Sequence, residues 1–326
     1  MPRALVIPRD LGADVTFTVD KREVRLTNLR KPFWPDLGIT KGDLIQYYAD
    51  VSSLLLPHIR DRAMVMKRYP NGAAGPFFFM KRAPTPRPAW IRTHQIEHDS
   101  GNIIDFPVID DLPSLLWVIN LGCIDLNQWY ARTDDINRPD YLHFDLDPGD
   151  APFSMVRESA LIVRDALQSL GMAPLVKTSG SKGMHVYVPI VRGPLQKEVW
   201  TFAKALAVEL AARHPALMTS AYKVASRPKG RVLVDYNQNR WGSTLASIYS
   251  VRPRPLATVS TPVTWEEVER GVETEAFTLL NVRDRLAKVG DLWKPLLAAK
   301  GRTDLASFLN PPKARKTTRR GAPRTA

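Results

Sequence analysis

His143-Phe144-Asp145-Leu146-Asp147-Pro148-Gly149 is the stretch on which the reading of this chain turns. A strand alternates its side chains, so Asp145 and Asp147 project from one face while Phe144 and Leu146 pack behind. Pro148-Gly149 stops the strand directly after the pair and leaves the carboxylates at a sheet end or cleft. Two carboxylates this close repel and raise one another's pKa unless a cation lies between them. Their hard oxygen donors suit magnesium or manganese, ions that also bridge triphosphate oxygens. The D-x-D pattern is common, however, and solvent-facing strands carry such pairs without function.

Outward from this strand (142–147) the sequence alternates helix and strand signals. A helix is expected over 154–170, closed by Gly171, then strands over 175–178 and 184–190 around the turn 179–183. A helix over 197–213 and a strongly apolar strand over 231–235 follow, and 264–270 and 278–289 read as helical. Upstream, Thr40 and Asp43 form a capping box for a helix over 44–56. Short strands over 65–68 and 77–81 flank the Asn71-Gly72 turn. The fold class is therefore α/β, of the mixed α+β kind, with no clean linker in the body.

Other residues bear on the chemistry. Asp235 ends the strand Val232-Leu233-Val234-Asp235, and reads either as a polar strand end or as a third metal ligand delivered from a neighbouring strand. Ser179-Gly180-Ser181-Lys182-Gly183-Met184-His185 looks like an anion-binding turn: glycines let backbone N–H groups converge while Ser, Lys and His add donors. It is not a Walker loop. Arg252 and Arg254, two apart in a Pro-fixed segment, are expected to point the same way, as a phosphate clamp or as a solvated basic strand. Lys31 and Lys41 suit a phosphate near a helix start, or are solvating lysines. Phe77-Phe78-Phe79 beside Lys81 and Arg82 is either core strand or a stacking surface for a base.

Composition narrows the partners. The 326 residues carry 46 Lys+Arg against 33 Asp+Glu, a formal net charge of +13 that points to a polyanion such as nucleic acid. Lys313, Arg315, Lys316, Arg319, Arg320 and Arg324 are unopposed at the C-terminus, and the body stays basic once they are set aside. The single Cys123 rules out an internal disulfide and reads as a small buried hydrophobe. No apolar run approaches a membrane span, and no signal-peptide pattern opens the chain, so a cytoplasmic protein is expected.

Taken in order, Asp145 to Gly149, Thr178 to His185, 234–239, 249–254 and 67–72 resemble the polymerase domain of bacterial ligase D, in the archaeo-eukaryotic primase superfamily. The likeness spans roughly 23–300, as a stand-alone relative without a ligase module. It implies a primase-polymerase fold of two packed halves with the active site in the cleft between them. It implies that Asp145, Asp147 and Asp235 are catalytic and hold two manganese or magnesium ions. Ser179, Ser181, Lys182, His185, Arg252, Arg254 and Asn127 would meet the NTP or dNTP, Lys31 and Lys41 a DNA 5′-phosphate, and Phe78 and Phe79 the template. The family commonly has histidine near Asn127, which cannot take a charge, and often lysine where Trp241 and Ser243 stand.

The expected domains are an N-terminal extension (1–22), a catalytic domain (23–300) and a basic, disordered tail (301–326). The expected activity is template-dependent nucleotidyl transfer that fills short DNA gaps or processes broken ends bearing a 5′-phosphate, preferring ribonucleotides. Partners would be DNA, a DNA ligase and an end-binding protein, around a monomer in the bacterial cytoplasm at the nucleoid. De novo priming, a metal-dependent nuclease and a non-catalytic end-binding protein are the alternatives.

Overall fold

The structure is a computed structural model describing residues 5–7, 13–98 and 100–309. The first half supplies β1 (Val15–Val19), β2 (Arg22–Leu26), β3 (Pro32–Trp34), β4 (Ile39–Thr40), α1 (Lys41–Ile59), β5 (Met64–Arg68) and β6 (Phe78–Met80). It continues with β7 (Thr93–Glu97), β8 (Ile103–Pro107), α2 (Leu112–Asn120) and β9 (Cys123–Trp129). The second half begins with β10 (Tyr141–Asp147), α3 (Phe153–Ser169), β11 (Leu175–Thr178), β12 (Met184–Pro189), α4 (Gln196–Arg213), β13 (Met218–Thr219) and β14 (Val232–Asp235). It ends with β15 (Thr244–Ala246), β16 (Pro262–Val263), α5 (Trp265–Glu269), α6 (Val282–Val289), α7 (Lys294–Leu297) and α8 (Ala306–Leu309).

Two sheets organise these elements. One has the order β13-β14-β10-β12-β11-β16, antiparallel except between β13 and β14. Phe144, Leu146, Met184, Val186, Val176 and Val234 are all buried in it, and α3 and α4 pack against it. The second has the order β15-β9-β5-β6, all antiparallel. Here α1 lies against α2. Leu44, Tyr48, Val51 and Leu55 are fully buried at helical spacing along α1. Thr40 and Asp43 form the expected capping box at its start.

Some elements depart from the sequence reading. The helix expected from 278 starts at Val282, because Thr278 is taken into a bridge with Thr258. The 301–309 stretch, expected to open the disordered tail, packs on the body instead. Arg302 donates to the carbonyls of Asp140 and Ile190, Thr303 bridges Ile190, and Leu305 is fully buried. Residues 310–326 lie outside the described residues. At the other end, β1 pairs with β2 across the boundary expected at residue 22, and β2 packs on α2. No helix among the described residues is long and apolar enough to cross a membrane.

Candidate active site

The central strand β10 is flanked by β14 and β12, and Asp145 faces Asp235 on one side and His185 on the other as direct Cα partners. One strand further, Lys177 stands opposite His185. Directly opposed residues share a face. Asp235, Asp145, His185 and Lys177 therefore form a single row across four strands, with Asp147 two residues on from Asp145 on the same side. The third carboxylate thus comes from a strand some ninety positions downstream, as the resemblance implies.

Charge in the row is arranged to leave the acids wanting a cation. Burial raises the Asp235 carboxyl above the ordinary aspartate range, and the charge of Asp145 adds to it, although Asn237 N–H donates to it at 2.7 Å. Burial alone would raise Asp145 too, but the His185 ring, with Nε2 at 3.3 Å, holds it below the usual value. His185 itself is lowered to about 4, first by burial and then by Lys177, against the opposing charge of Asp145. Asp147 accepts from Gly149 N–H at 3.1 Å and lies 3.9 Å from Arg227.

Hard oxygen donors and mutual repulsion between Asp145 and Asp235 fit magnesium or manganese. Among the described residues no three Asp, Glu, His or Cys side chains are already gathered at metal-binding spacing.

Opposite the acids lies the Ser179–Gly183 turn. The Ser179 hydroxyl accepts N–H bonds from Ser181 and Gly183, which fixes the loop from inside. Glycine is obligatory twice. A Cβ on Gly180, at φ +66°, would sit 2.6 Å from Ser260 N, and one on Gly183 would meet the Leu146 carbonyl at 2.1 Å. A cleft of about 260 Å³ is lined by Asp145, Asp147, Ser179, Ser181, Lys182 and His185 together with Asn127, Arg252 and the strand β15. The six-stranded sheet provides its catalytic face, and Asn127 and β15 belong to the second sheet. The two halves and the cleft between them are as expected.

Arg252 and Arg254 separate. Arg252 borders the cleft, its Nε 3.4 Å from the buried Asp125, whereas Arg254 is exposed and absent from the lining. The extended spacing assumed for the pair fails because the chain turns: Arg254 N–H donates to the Arg252 carbonyl and Ala257 N–H to that of Arg254.

A second, cationic pocket of about 360 Å³ gathers Lys31, Lys41 and Arg68 with Thr27, Asn28 and Asn120. Lys41 is only 5% exposed, donating to the Thr27 carbonyl at 2.6 Å and to Asn120 Oδ1 at 2.8 Å. Burial lowers its pKa to about 8, and Lys31 and Arg68 push the same way against Asp14. Lys31 reaches Asn71 Oδ1 at 2.9 Å.

Phe78 and Phe79 are both exposed, at 43% and 59%, but they point apart. In β6 they pair with Arg68 and Lys67 respectively. The Arg68 guanidinium sits 5.1 Å over Phe78, on the cationic-pocket side. Phe79 shares the other face with Phe77, under the ammonium of Lys67. Burial lowers Lys67, with Asp125 and Arg252 acting on it from the cleft side. Neighbouring strand positions cannot form one platform; the same-face pair is Phe77 and Phe79.

Residues 40–293 match the family model of the LigD primase-polymerase domain. The chain belongs to that family. It is 34% identical over 276 residues to the multifunctional non-homologous end joining protein LigD of Mycolicibacterium smegmatis, covering 84% of this chain and 36% of that protein. With the bifunctional non-homologous end joining protein LigD of Bacillus subtilis it shares 30% over 270 residues, 82% of this chain and 43% of that one. The chain thus spans well under half the length of these relatives. The solved polymerase domain of Mycobacterium tuberculosis ligase D in complex with DNA superposes with a TM-score of 0.79 at 33% identity, covering 84% of this chain and 98% of that one.

Several residues of these sites escaped sequence reasoning. Asn120 enters the cationic pocket from a helix end, without a local motif, and Arg68, although inside the 67–72 segment, carries no phosphate signal of its own. Lys177, inside an ordinary-looking strand, carries no sequence signal except its place two residues before the Ser-Gly-Ser-Lys loop. Asn127 lines the cleft where expected, its amide donating to the Asp125 carbonyl.

Proposed function

We propose that this chain is a template-dependent nucleotidyltransferase that extends a primer 3′-hydroxyl with nucleoside triphosphates, ribonucleotides by preference. Its substrates are short DNA gaps or broken ends with a downstream 5′-phosphate. The observation that carries this is the cleft that Asp145 and Asp147 share with the Ser179–Gly183 turn, with Asp235 paired to Asp145 on the neighbouring strand.

The residues divide the work. Bound at Asp145, Asp147 and Asp235, manganese or magnesium supplies charge neutralisation for attack on the α-phosphate. Ser181, Lys182, the backbone of the turn and Arg252 receive the triphosphate, and His185 Nε2 offers a neutral donor beside Asp145. Ser179 acts by shaping the turn, and Asn127 makes a neutral contact from the second sheet. Lys31, Lys41 and Arg68 hold the 5′-phosphate, while Phe79 stacks on the template and Phe78 flanks the phosphate pocket. Arg254 serves the DNA backbone from outside the cleft. A filled gap leaves a 3′-hydroxyl beside a 5′-phosphate, the substrate of a DNA ligase, so a ligase and an end-binding protein are fitting partners. DNA as substrate fits a monomer in the cytoplasm at the nucleoid.

The test is extension of a labelled primer on a short gap, with and without the downstream 5′-phosphate, using ribo- and deoxynucleotides and manganese. Template-directed addition that vanishes in Asp145→Ala/Asp147→Ala supports the reading. Tight gap binding with no addition by the intact chain would overturn it in favour of end binding, and dinucleotide formation without primer would point to priming.

A further inference from the structure

The row across the sheet ends on a residue that the nucleotide reading leaves without a role. Lys177 is 0% exposed, on the same face as the acids and His185, and touches no solvent. Its Nζ donates to two acceptors from different parts of the fold. One is the carbonyl of Ala246, 3.1 Å away on β15, in the four-stranded sheet. The other is Ser260 Oγ at 2.5 Å, whose own hydroxyl donates to the Thr178 carbonyl. Burying an ammonium or amine costs several kcal/mol unless its donors are satisfied. A long apolar residue would fill the same space without that cost, so the two bonds do something packing alone does not.

Their position shows what. Thr244, Leu245 and Ala246 form the cleft wall that faces the Ser179–Gly183 turn. The turn follows Lys177 by two residues, and Thr258 Oγ1 beside Ser260 donates to the Gly180 carbonyl. One Nζ thus ties the strand leading into the triphosphate turn to the opposite wall of the same cleft. His185, its neighbour in the row, has a buried Nδ1 with no hydrogen-bond partner among the described residues. Its ring is therefore oriented by Asp145 at Nε2 and by packing, with Tyr187 stacked at 6.4 Å. Arg252, Asp145 and Asp125 are the other charged groups that act on Lys177.

We propose that Lys177 is a positioning residue for the incoming nucleotide: a buried cross-sheet tie that sets the width of the cleft. This rests on the reading of the cleft as the nucleotide site. The tie acts on the space where the triphosphate lies and not on the distant pocket of Lys31, Lys41 and Arg68. Losing it weakens nucleotide binding and spares DNA-end binding.

The experiment compares the intact chain with Lys177→Met, which keeps the length and loses the donors, and with Ser260→Ala, which removes one acceptor. For Lys177→Met the nucleotide KM is expected to rise by about tenfold or more with kcat within about threefold, as for loss of binding shared by ground and transition states. For Ser260→Ala a rise of about threefold in the same direction is expected, as for loss of one bond of two. The Kd for gapped DNA with a 5′-phosphate should stay within about twofold in both, since distant sites behave independently. An unchanged KM in Lys177→Met, or a rise in KM matched by an equal rise in the DNA Kd, overturns the proposal, the second result marking general destabilisation. If Lys177→Met does not fold, Ser260→Ala decides alone, and an unchanged KM overturns it. No saturable nucleotide use by the intact chain would instead sink the nucleotide reading itself, and the tie with it.

Discussion

The acid-lined cleft and the cationic pocket are built on opposite plans. The cleft gathers carboxylates and phosphate-binding donors from two sheets, so its charges partly answer one another. The pocket gathers only cations among its titratable lining, Lys31, Lys41 and Arg68, and satisfies Lys41 with neutral carbonyl and amide oxygens. In both, burial disfavours the charged form: it raises Asp235 and lowers Lys41 to about 8. One region is incomplete without a cation and the other without an anion. The stored cost is released when the ligand arrives, which makes each site selective for a charge sign before any shape is considered.

Removing Asp145 should separate the two regions most completely. Asp145→Ala should cut primer extension by about a thousandfold, as expected for a metal-dependent transfer, while binding of a 5′-phosphorylated gap changes little. Loss of both functions together would show that the regions are not separable. Next in size, Lys41→Met should weaken the preference for a 5′-phosphate over a 5′-hydroxyl gap by about thirtyfold, roughly 2 kcal/mol for one charge-assisted contact. Its nucleotide KM on an open template should stay put, as kinetic titration would reveal.

Smaller effects sharpen the boundary between the regions. Phe79→Ala should reduce templated extension by about tenfold, the scale of one lost base stack. Phe78→Ala should act mainly on 5′-phosphate discrimination through Arg68; equal effects on both readouts would merge the two faces of β6. Smallest is the pH dependence. Below about 8 the buried Lys41 ammonium is charged and ready for phosphate; above it the proton is lost, and 5′-phosphate affinity should fall by about fivefold between pH 7.5 and 9. Because the folded value is depressed, the unfolded chain binds more protons there, so this residue's contribution to stability should rise as pH climbs from 8 towards 10.4. Anisotropy for binding and urea unfolding at matched pH would separate the two trends.

What the sequence disclosed follows the range of the interaction. The Asp145/Asp147 pair, the glycines of the 179–183 turn and the Thr40/Asp43 cap were legible because period-two alternation, turn chemistry and capping act within a few residues. The alignment of Asp145 with Asp235 depends on strand order, which no local pattern encodes: the sequence leaves Asp235 open between a polar strand end and a third ligand, and the family likeness chooses between them. Arg252 and Arg254 were misjudged because a proline-containing stretch was taken as extended when backbone bonds close it into a turn. Phe78 and Phe79 are paired only by the family likeness, and the alternation that joins Asp145 and Asp147 separates them as neighbours. Lys177 stayed hidden because a lysine inside a strand signals exposure, and only its tertiary acceptors make burial tolerable.

One consequence concerns dissection of the chain. The family match opens at residue 40, yet Lys41 is anchored by Thr27, and Asn28 and Lys31 complete its pocket. A fragment trimmed to the matched range would retain every carboxylate of the cleft while losing one wall of the pocket. The pocket is thus held from outside the matched range, by the same N-terminal strands that bury Leu26 and Phe33 against the body, so the address of the break and the frame of the catalyst share one set of walls.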